Sequence, residues 1–308
     1  NVRLLPRTTV WGYYDGNTLA ALERVGDHKR DAPKGEPRHR HWVIRAGRVV
    51  LATGAFERPI VFPGNDRPGI MLADAAARYA VEYGALPGRK IVVFANNDGA
   101  YVSAVALRQA GADIVAIIDV RRSVSDHARK LATRAGGELL LGHAVVDTPG
   151  GSRFAGAKVQ PFDAAAGTLF GTARTIPGDC LAVSGGWSPV VHLASQAGAK
   201  PVWDDKLQAF LPPGSSSGWE AVGAAAGEGL LQRDDQHRQP VDHQPHGPVV
   251  IVGAYVDYRL FETRVAHPRH GDDQLSGQVL GGGVKDFARI GHRVSPCWPG
   301  GRPGAAGR

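Results

Sequence analysis

One stretch constrains the fold more than any other: "GRKIVVFANNDGAYVSAVALRQAGADIVAIIDVR", residues 88–121. Two wholly apolar runs, 91–95 and 114–118, flank a segment whose apolar residues fall at helical spacing. Strands that are apolar at every position suit a parallel sheet covered on both faces. Parallel neighbours need a crossover of a dozen or more residues, and the usual crossover is a helix. The stretch is therefore read as a Rossmann-like βαβ unit ending on Asp119, and the chain as α/β.

This unit departs from the glycine fingerprint of dinucleotide folds. The fingerprint wants Gly at the tight turn, at the approach to the pyrophosphate and at the helix–strand contact. Here those places hold Ala95, Asn97 and Ala100. Ala is tolerated at the third. The Asn97 side chain stands where phosphates need room, and Asp98 adds a like charge. Asp119 stands about twenty residues on, where a ribose-binding acid belongs, or else it is a strand-end residue facing solvent. The unit is expected to be Rossmann-like without holding a dinucleotide in the usual way.

Three strand ends carry small residues: Thr53-Gly54-Ala55, Ser184-Gly185-Gly186 and Val222-Gly223-Ala224-Ala225. A backbone that comes close to a cofactor needs residues without bulk. A helix opening at "GAAAGEGLL" would aim free N–H groups at a pyrophosphate. The βαβ unit lies between the first and second of these ends. That order predicts a dinucleotide domain interrupted by a second one.

The remaining segments fit around this frame. "TTVWGYYDGN" reads as extended chain ending on a turn at Asp15-Gly16-Asn17, and "TLAALERV" as a short helix. "GDHKRDAPKGEPRHR" is a solvated loop, "HWVIRAGRVVLATG" gives two strands, and 59–68 is a connector. "GIMLADAAARYAVEYG" is a helix stopped by Gly84. "VSDHARKLATRAGGELLLGHAVVDTPG" is helix then strand, and 153–175 a meander of short strands.

Bulk properties exclude several classes. The 308 residues suffice for two domains. The net charge of +7 comes from scattered Lys and Arg rather than one basic stripe, which argues against nucleic-acid binding. Cys180 and Cys297 form no CxxC pair, so neither a redox dithiol nor a disulfide framework is expected, in keeping with a reducing cytoplasm. No apolar run reaches the ~18–20 residues that span a bilayer, and no signal peptide opens the chain. Asn1 is not a natural start, so residues upstream are expected.

From about Gln232 the composition changes. Six of the twelve histidines (His237, His243, His246, His267, His270, His292) fall in 232–308, at spacings that match no zinc pattern. One apolar run, "VVIVGAYVDY", interrupts the polarity. This region is read as an atypical, poorly ordered tail, or as a frame that has shifted from an ancestral one. No metal site is assigned.

The chain resembles the α subunit of heterotetrameric sarcosine oxidase. The resemblance rests on "RTTVWGYYDGN", "RVVLATGAFERPIVFPGNDRPGIMLA", "NNDGAY", "AVSGGWSPVVHLASQAG", "WDDKLQAFLP" and "AVGAAAGEGLL", and covers roughly residues 1–231. It implies two nested Rossmann-like domains of the pyridine nucleotide-disulfide oxidoreductase kind, plus the irregular C-terminal tail. The expected division is 1–66 and 177–231 for the first domain, 67–176 for the inserted one, and 232–308 for the tail. The family's complex demethylates sarcosine oxidatively to glycine and hydrogen peroxide and passes the one-carbon unit to folate. Amine oxidation runs on flavin held at the subunit interface and by the β subunit, so the implied partners are a flavin-containing β subunit together with smaller subunits. The α subunit holds a non-covalent NAD in its first domain. Carried onto this chain, the wall of that site is Val10, Thr53, Gly54, Gly223, Ala225 and Leu230. The family's glycine turn would precede Asn1, so NAD binding by this chain alone is expected to be weak or absent.

No nucleophile–base pair is visible. His143, His192 and Asp119 lie on structural elements, and no catalytic residue is assigned. Two other readings stand beside the first. One is the α subunit of a related amine or amino-acid dehydrogenase. The other is a non-catalytic scaffold or defective product, which Asn97, Asp98 and the tail would suit.

Overall fold

The computed structural model of the chain describes residues 3–214, 216, 218–229 and 249–253. Residues 5–256 form one unit; of the other, 1–4 with 257–308, only Arg3 and Leu4 are described.

The first three strands make an antiparallel meander: β1 (Thr8–Tyr14), β2 (Thr18–Arg24) and β3 (His39–Arg45). The turn between β1 and β2 needs left-handed backbone at Gly16 and Asn17, two residue types that reach it readily. β2 corrects the helix expected at "TLAALERV". Its pattern suits either state locally, but it lies between β1 and β3 and pairs with both, burying Leu19, Ala20 and Ala21. Ladder bonds on two sides override a weak helix propensity.

Then come β4 (Arg48–Ala52), β5 (Ala55–Glu57), β6 (Ile70–Leu72) and α1 (Ala73–Tyr83). Gly84 ends α1 in the left-handed region, its N–H donating to the Tyr79 carbonyl. Next are β7 (Lys90–Ala95), α2 (Gly99–Gln109), β8 (Asp113–Asp119), α3 (Asp126–Ala135) and β9 (Glu138–Leu141). A second meander follows: β10 (His143–Asp147), β11 (Gly156–Asp163), β12 (Thr168–Leu169) and β13 (Arg174–Pro177). The chain continues through β14 (Cys180–Ser184), β15 (Trp187–Pro189), α4 (His192–Gln196), the hairpin β16 (Val202–Asp204) and β17 (Ala209–Leu211), β18 (Trp219–Ala221), a 3-10 turn (Gly223–Ala226) and β19 (Val249–Gly253).

The predicted βαβ unit lies in a five-stranded parallel sheet of order β6-β14-β7-β8-β9. Alternation within β7 explains why it is apolar throughout. Ile91 and Val93 face the helices, packing with Ala76, Ala104 and Leu107. Val92 and Phe94 face the second meander, packing with Val145, Val159 and Ile176. Both faces are covered, so neither tolerates a polar side chain. Truncating a residue such as Phe94, 1% exposed, to Ala removes about 3–5 kcal/mol.

A second parallel sheet has the order β18-β4-β19. Val49 and Leu51 of β4 pack with Leu19, Trp219 and Leu193, and Val250 and Val252 of β19 join the same core. An antiparallel ribbon of β5 and β15 runs beside it.

Two expectations change here. The sequence places 177–231 in the first domain, yet β14 within it pairs with β6 and β7 of the inserted sheet. Its residues are buried at every position, and a small-residue end says where a strand stops, not which sheet receives it. The tail from 232 onward contributes β19, whose apolar run takes an edge of β4. An uncharged Val/Ile run beside an open strand edge gains a ladder of hydrogen bonds and half-buried packing. The rest of that tail lies outside the described residues.

Candidate nucleotide-binding edge

β4, β18 and β19 are parallel and end level with one another. Ala221 is opposite Leu51, and Gly253 is opposite Ala52. The carboxyl ends of parallel strands are where open α/β sheets hold their ligands. At this edge the chain leaves β4 through Gly54 (φ 76°) and β18 through Gly223 (φ 63°), both left-handed. Among the described residues, a Cβ built on either would meet nothing within 4 Å. The backbone therefore favours Gly at both positions, and among the described residues no atom fills the space beside it. Thr53 is fixed from behind, its hydroxyl donating to the Val190 carbonyl at 3.2 Å, while Val190 N–H donates to the Gly54 carbonyl at 3.0 Å.

The six residues carried over from the resemblance divide unevenly. Thr53, Gly54 and Gly223 meet at this edge. Ala225 is 1% exposed and packs inside the 3-10 turn. Val10 lies on β1, partly buried against the core of the same sheet. Leu230 lies outside the described residues. The helix expected at "GAAAGEGLL" is, among the described residues, a single 3-10 turn closed by left-handed Gly227. Three glycines in seven residues favour turns over a sustained helix. The element that sequence reading misses is β19. Its signal is the run "VVIVG", uncharged and β-branched, in an otherwise polar region.

The inserted sheet has a corresponding edge at the ends of β7 and β8, and its side chains are bonded to each other. Arg121 donates from Nη2 to Asp119 Oδ2 (2.7 Å) and from Nε to Asp119 Oδ1 (3.0 Å). Its Nη1 lies 2.8 Å from Asp98 Oδ1. Asp98 Oδ2 accepts from the Ser125 hydroxyl at 2.8 Å, and Ser125 Oγ in turn caps α3 by accepting from the Ala128 amide. The Tyr101 hydroxyl donates to Asp119 Oδ2 at 2.8 Å. Asp119 is 0% exposed, so it is neither a free ribose acid nor a solvent-facing strand end. Burial works against the Arg121 charge, but Asp119 and Asp98 outweigh it and raise the guanidinium pKa above its usual value. Burial, then Asp119, raise Tyr101 in the same way.

Glu57 lies where the ribbon meets α1. Its Oε2 accepts from the Asp74 amide at 2.9 Å, at the start of α1. Burial lifts its pKa from 4.5 to about 7, against the pull of Ser184 and that amide. Ser184 is also held by Asn97, whose Nδ2 reaches the Ser184 hydroxyl at 2.9 Å. One polar chain thus links the α2 loop to the ribbon.

Other groups are structural. His143 is bonded to the Leu141 carbonyl, and His192 meets Phe56 edge-on. Cys180 is buried, its thiol pushed up to about 12 by burial and then by Asp179, far from a reactive thiolate. A cavity of about 350 Å³ opens beside Tyr13, Asn17 and Trp219, at the opposite edge of β18. There Tyr13 donates to Asn17, which donates to the Gly47 and Gly218 carbonyls. Among the described residues no group of three or more His, Cys, Asp or Glu is placed to hold a metal, and no helix is long and apolar enough to cross a membrane.

A parallel sheet interrupted by a second parallel sheet, with a two-stranded ribbon between, is the fold of the FAD/NAD(P)-binding pyridine nucleotide-disulfide oxidoreductases. The crystal structure of T. acidophilum thioredoxin reductase matches at a TM-score of 0.51 and 14% identity, covering 73% of this chain and 67% of that one. Among curated proteins the chain is similar to the sarcosine oxidase alpha subunit of Rhizobium meliloti (strain 1021), 44% identical over 226 residues. It is likewise 44% identical over 225 residues to the sarcosine oxidase alpha subunit of Corynebacterium sp. (strain P-1). An opine oxidase subunit of Rhizobium meliloti is 29% identical over 238 residues, covering 69% of this chain and 41% of that protein. The resemblance read from the sequence therefore holds over 73% of the chain, which spans 22% of the length of the first of these relatives. No protein-family model matches the chain.

Proposed function

We propose that this chain is the dinucleotide-holding, partner-docking part of a sarcosine oxidase-type α subunit, with NAD as the non-covalent ligand. The observation that carries the reading is the pair of left-handed glycines, Gly54 and Gly223, side by side at the carboxyl edge of one parallel sheet. Thr53, Gly54 and Gly223 would line the ligand's diphosphate, which needs backbone free of side-chain bulk. A bound nicotinamide dinucleotide supplies a hydride-accepting ring. The chain's own residues give shape: Thr53 locks the β4 turn, and Arg48–Glu220 (3.2 Å) aligns β4 with β18 at the far end.

The flavin chemistry of amine oxidation is assigned to a partner subunit. This chain would contribute to it through assembly in a cytoplasmic hetero-oligomer, and by itself would be inactive. The identity to sarcosine oxidase α subunits, 44% against 29% for the opine oxidase protein, favours sarcosine over an opine as the amine acted on. The domain division is proposed as 67–184 inserted into 1–66 and 185–229, with β19 added to the first domain.

The test is to denature the purified chain and identify released small molecules by mass spectrometry, then measure NAD affinity by calorimetry. NAD released in stoichiometric amount, or bound in solution and lost in Gly223→Glu, supports the reading. Weak binding is the expected result for the chain by itself, and NAD bound with the same affinity by Gly223→Glu overturns the placement of the ligand at this edge.

A further inference from the structure

The fold implies a second dinucleotide site, in the crevice outside β7 and β8 at the start of α2. The residues present do not fit one. A diphosphate there needs free N–H donors, and the Gly99 amide already donates to Asn97 Oδ1 at 3.0 Å. It needs space, and a Cβ on Gly99 would stand 3.0 Å from both Asn97 Oδ1 and Trp187 Nε1. It needs the absence of negative charge, and Asp98 is at the helix start. A ribose needs a carboxylate with free acceptors, and Asp119 is fully buried under Arg121 and Tyr101.

We infer that the inserted domain carries its own replacement for the dinucleotide: an Asp98–Arg121–Asp119 bridge that closes the crevice to nucleotides. Asp98 is the anion at the start of α2, and the Arg121 guanidinium spans from it to the end of β8. Ser125 extends the bridge to the start of α3. The three segments that a coenzyme would otherwise touch are thereby tied to one another. The inserted domain acts as a coenzyme-free spacer, and the described residues take at most one dinucleotide.

The test is photolabelling of the full chain with 8-azido-NAD, followed by peptide mapping with and without excess NAD. NAD-competed label is expected to be absent from residues 96–125 in the wild-type chain. Label there overturns the inference. Label absent from the whole wild-type chain defeats the proposed NAD site at β4 and β18 but agrees with a closed crevice. The variant Asn97→Gly/Asp98→Gly is expected to gain label at 96–125 by on the order of tenfold or more, since a juxtaposed like charge is removed. If it folds with unchanged circular dichroism and gains nothing, these side chains are not what closes the crevice. Should the double variant fail to fold, Asp98→Gly alone is read by the same criterion.

Discussion

The two parallel sheets present the same kind of edge and use it in opposite ways. At the ends of β4 and β18 the chain turns on glycines, with no side chain of the described residues over the backbone. At the ends of β7 and β8 it turns through Asn97, Asp98 and Arg121: Asn97 donates to Asn96 and Ser184, and Arg121 pairs with both Asp98 and Asp119. The fold does not decide whether such an edge receives a ligand. The residues at the turn set how much room is left for one, by carrying no side chain or by filling the crevice with bonded ones.

The comparison can be broken most forcefully at the charge bridge. Arg121→Ala leaves Asp119 buried with Tyr101 as its remaining side-chain donor among the described residues, and stability should fall by about 3–5 kcal/mol in urea unfolding. A loss under about 1 kcal/mol would show that the bridge is a surface ion pair of the ordinary, weak kind.

The junction between the edges should respond to pH. Glu57 binds its proton more tightly folded (about 7) than unfolded (4.5). The folded chain then holds more protons over that interval, so its stability decreases as pH rises from about 4.5 to 7. The decrease is on the order of 2–3 kcal/mol, and Glu57→Gln should flatten it. Chemical denaturation at pH 5 and pH 8 measures both; an equal slope in the variant would assign the effect elsewhere.

The glycine edge should be less sensitive. Gly54→Ala and Gly223→Ala each force a left-handed alanine, at about 1–2 kcal/mol, with no steric term from the described residues, none of which is near the new Cβ. Gly137→Ala should cost more, since its Cβ would collide with the Ile114 carbonyl oxygen. Thermal melts of the three variants test this order, and Gly54→Ala as damaging as Gly137→Ala would mean the edge is packed. Smallest is Ser125→Ala, which removes the α3 cap and the Asp98 contact for about 1 kcal/mol, read in the same melts.

Much of this is legible in the residues. Unbroken apolar runs at 91–95 and 114–118 suit doubly covered strands and form them, and Gly84 stops α1 by taking the left-handed backbone that Gly allows. The collision of Asn97 and Asp98 with a phosphate site also follows from side-chain type. Other features depend on partners far away along the chain. "TLAALERV" is a strand because β1 and β3 flank it, and "CLAVS" joins the inserted sheet because β6 and β7 receive it. Asp119 has the spacing of a ribose ligand, yet Arg121 and Tyr101 saturate it.

The sequence by itself determined the apolar strands β7 and β8, the stop of α1 at Gly84 and which turns carry bulk, because propensity, capping and steric room are properties of a few adjacent residues. Tertiary structure alone decided which strand lies beside which, and brought "VVIVG" from position 249 to the edge of β4. It also decided which charges were already paired. Hydrogen-bond ladders and ion pairs form between residues that adjacency in sequence does not connect, so their outcome is fixed only once the sheets assemble.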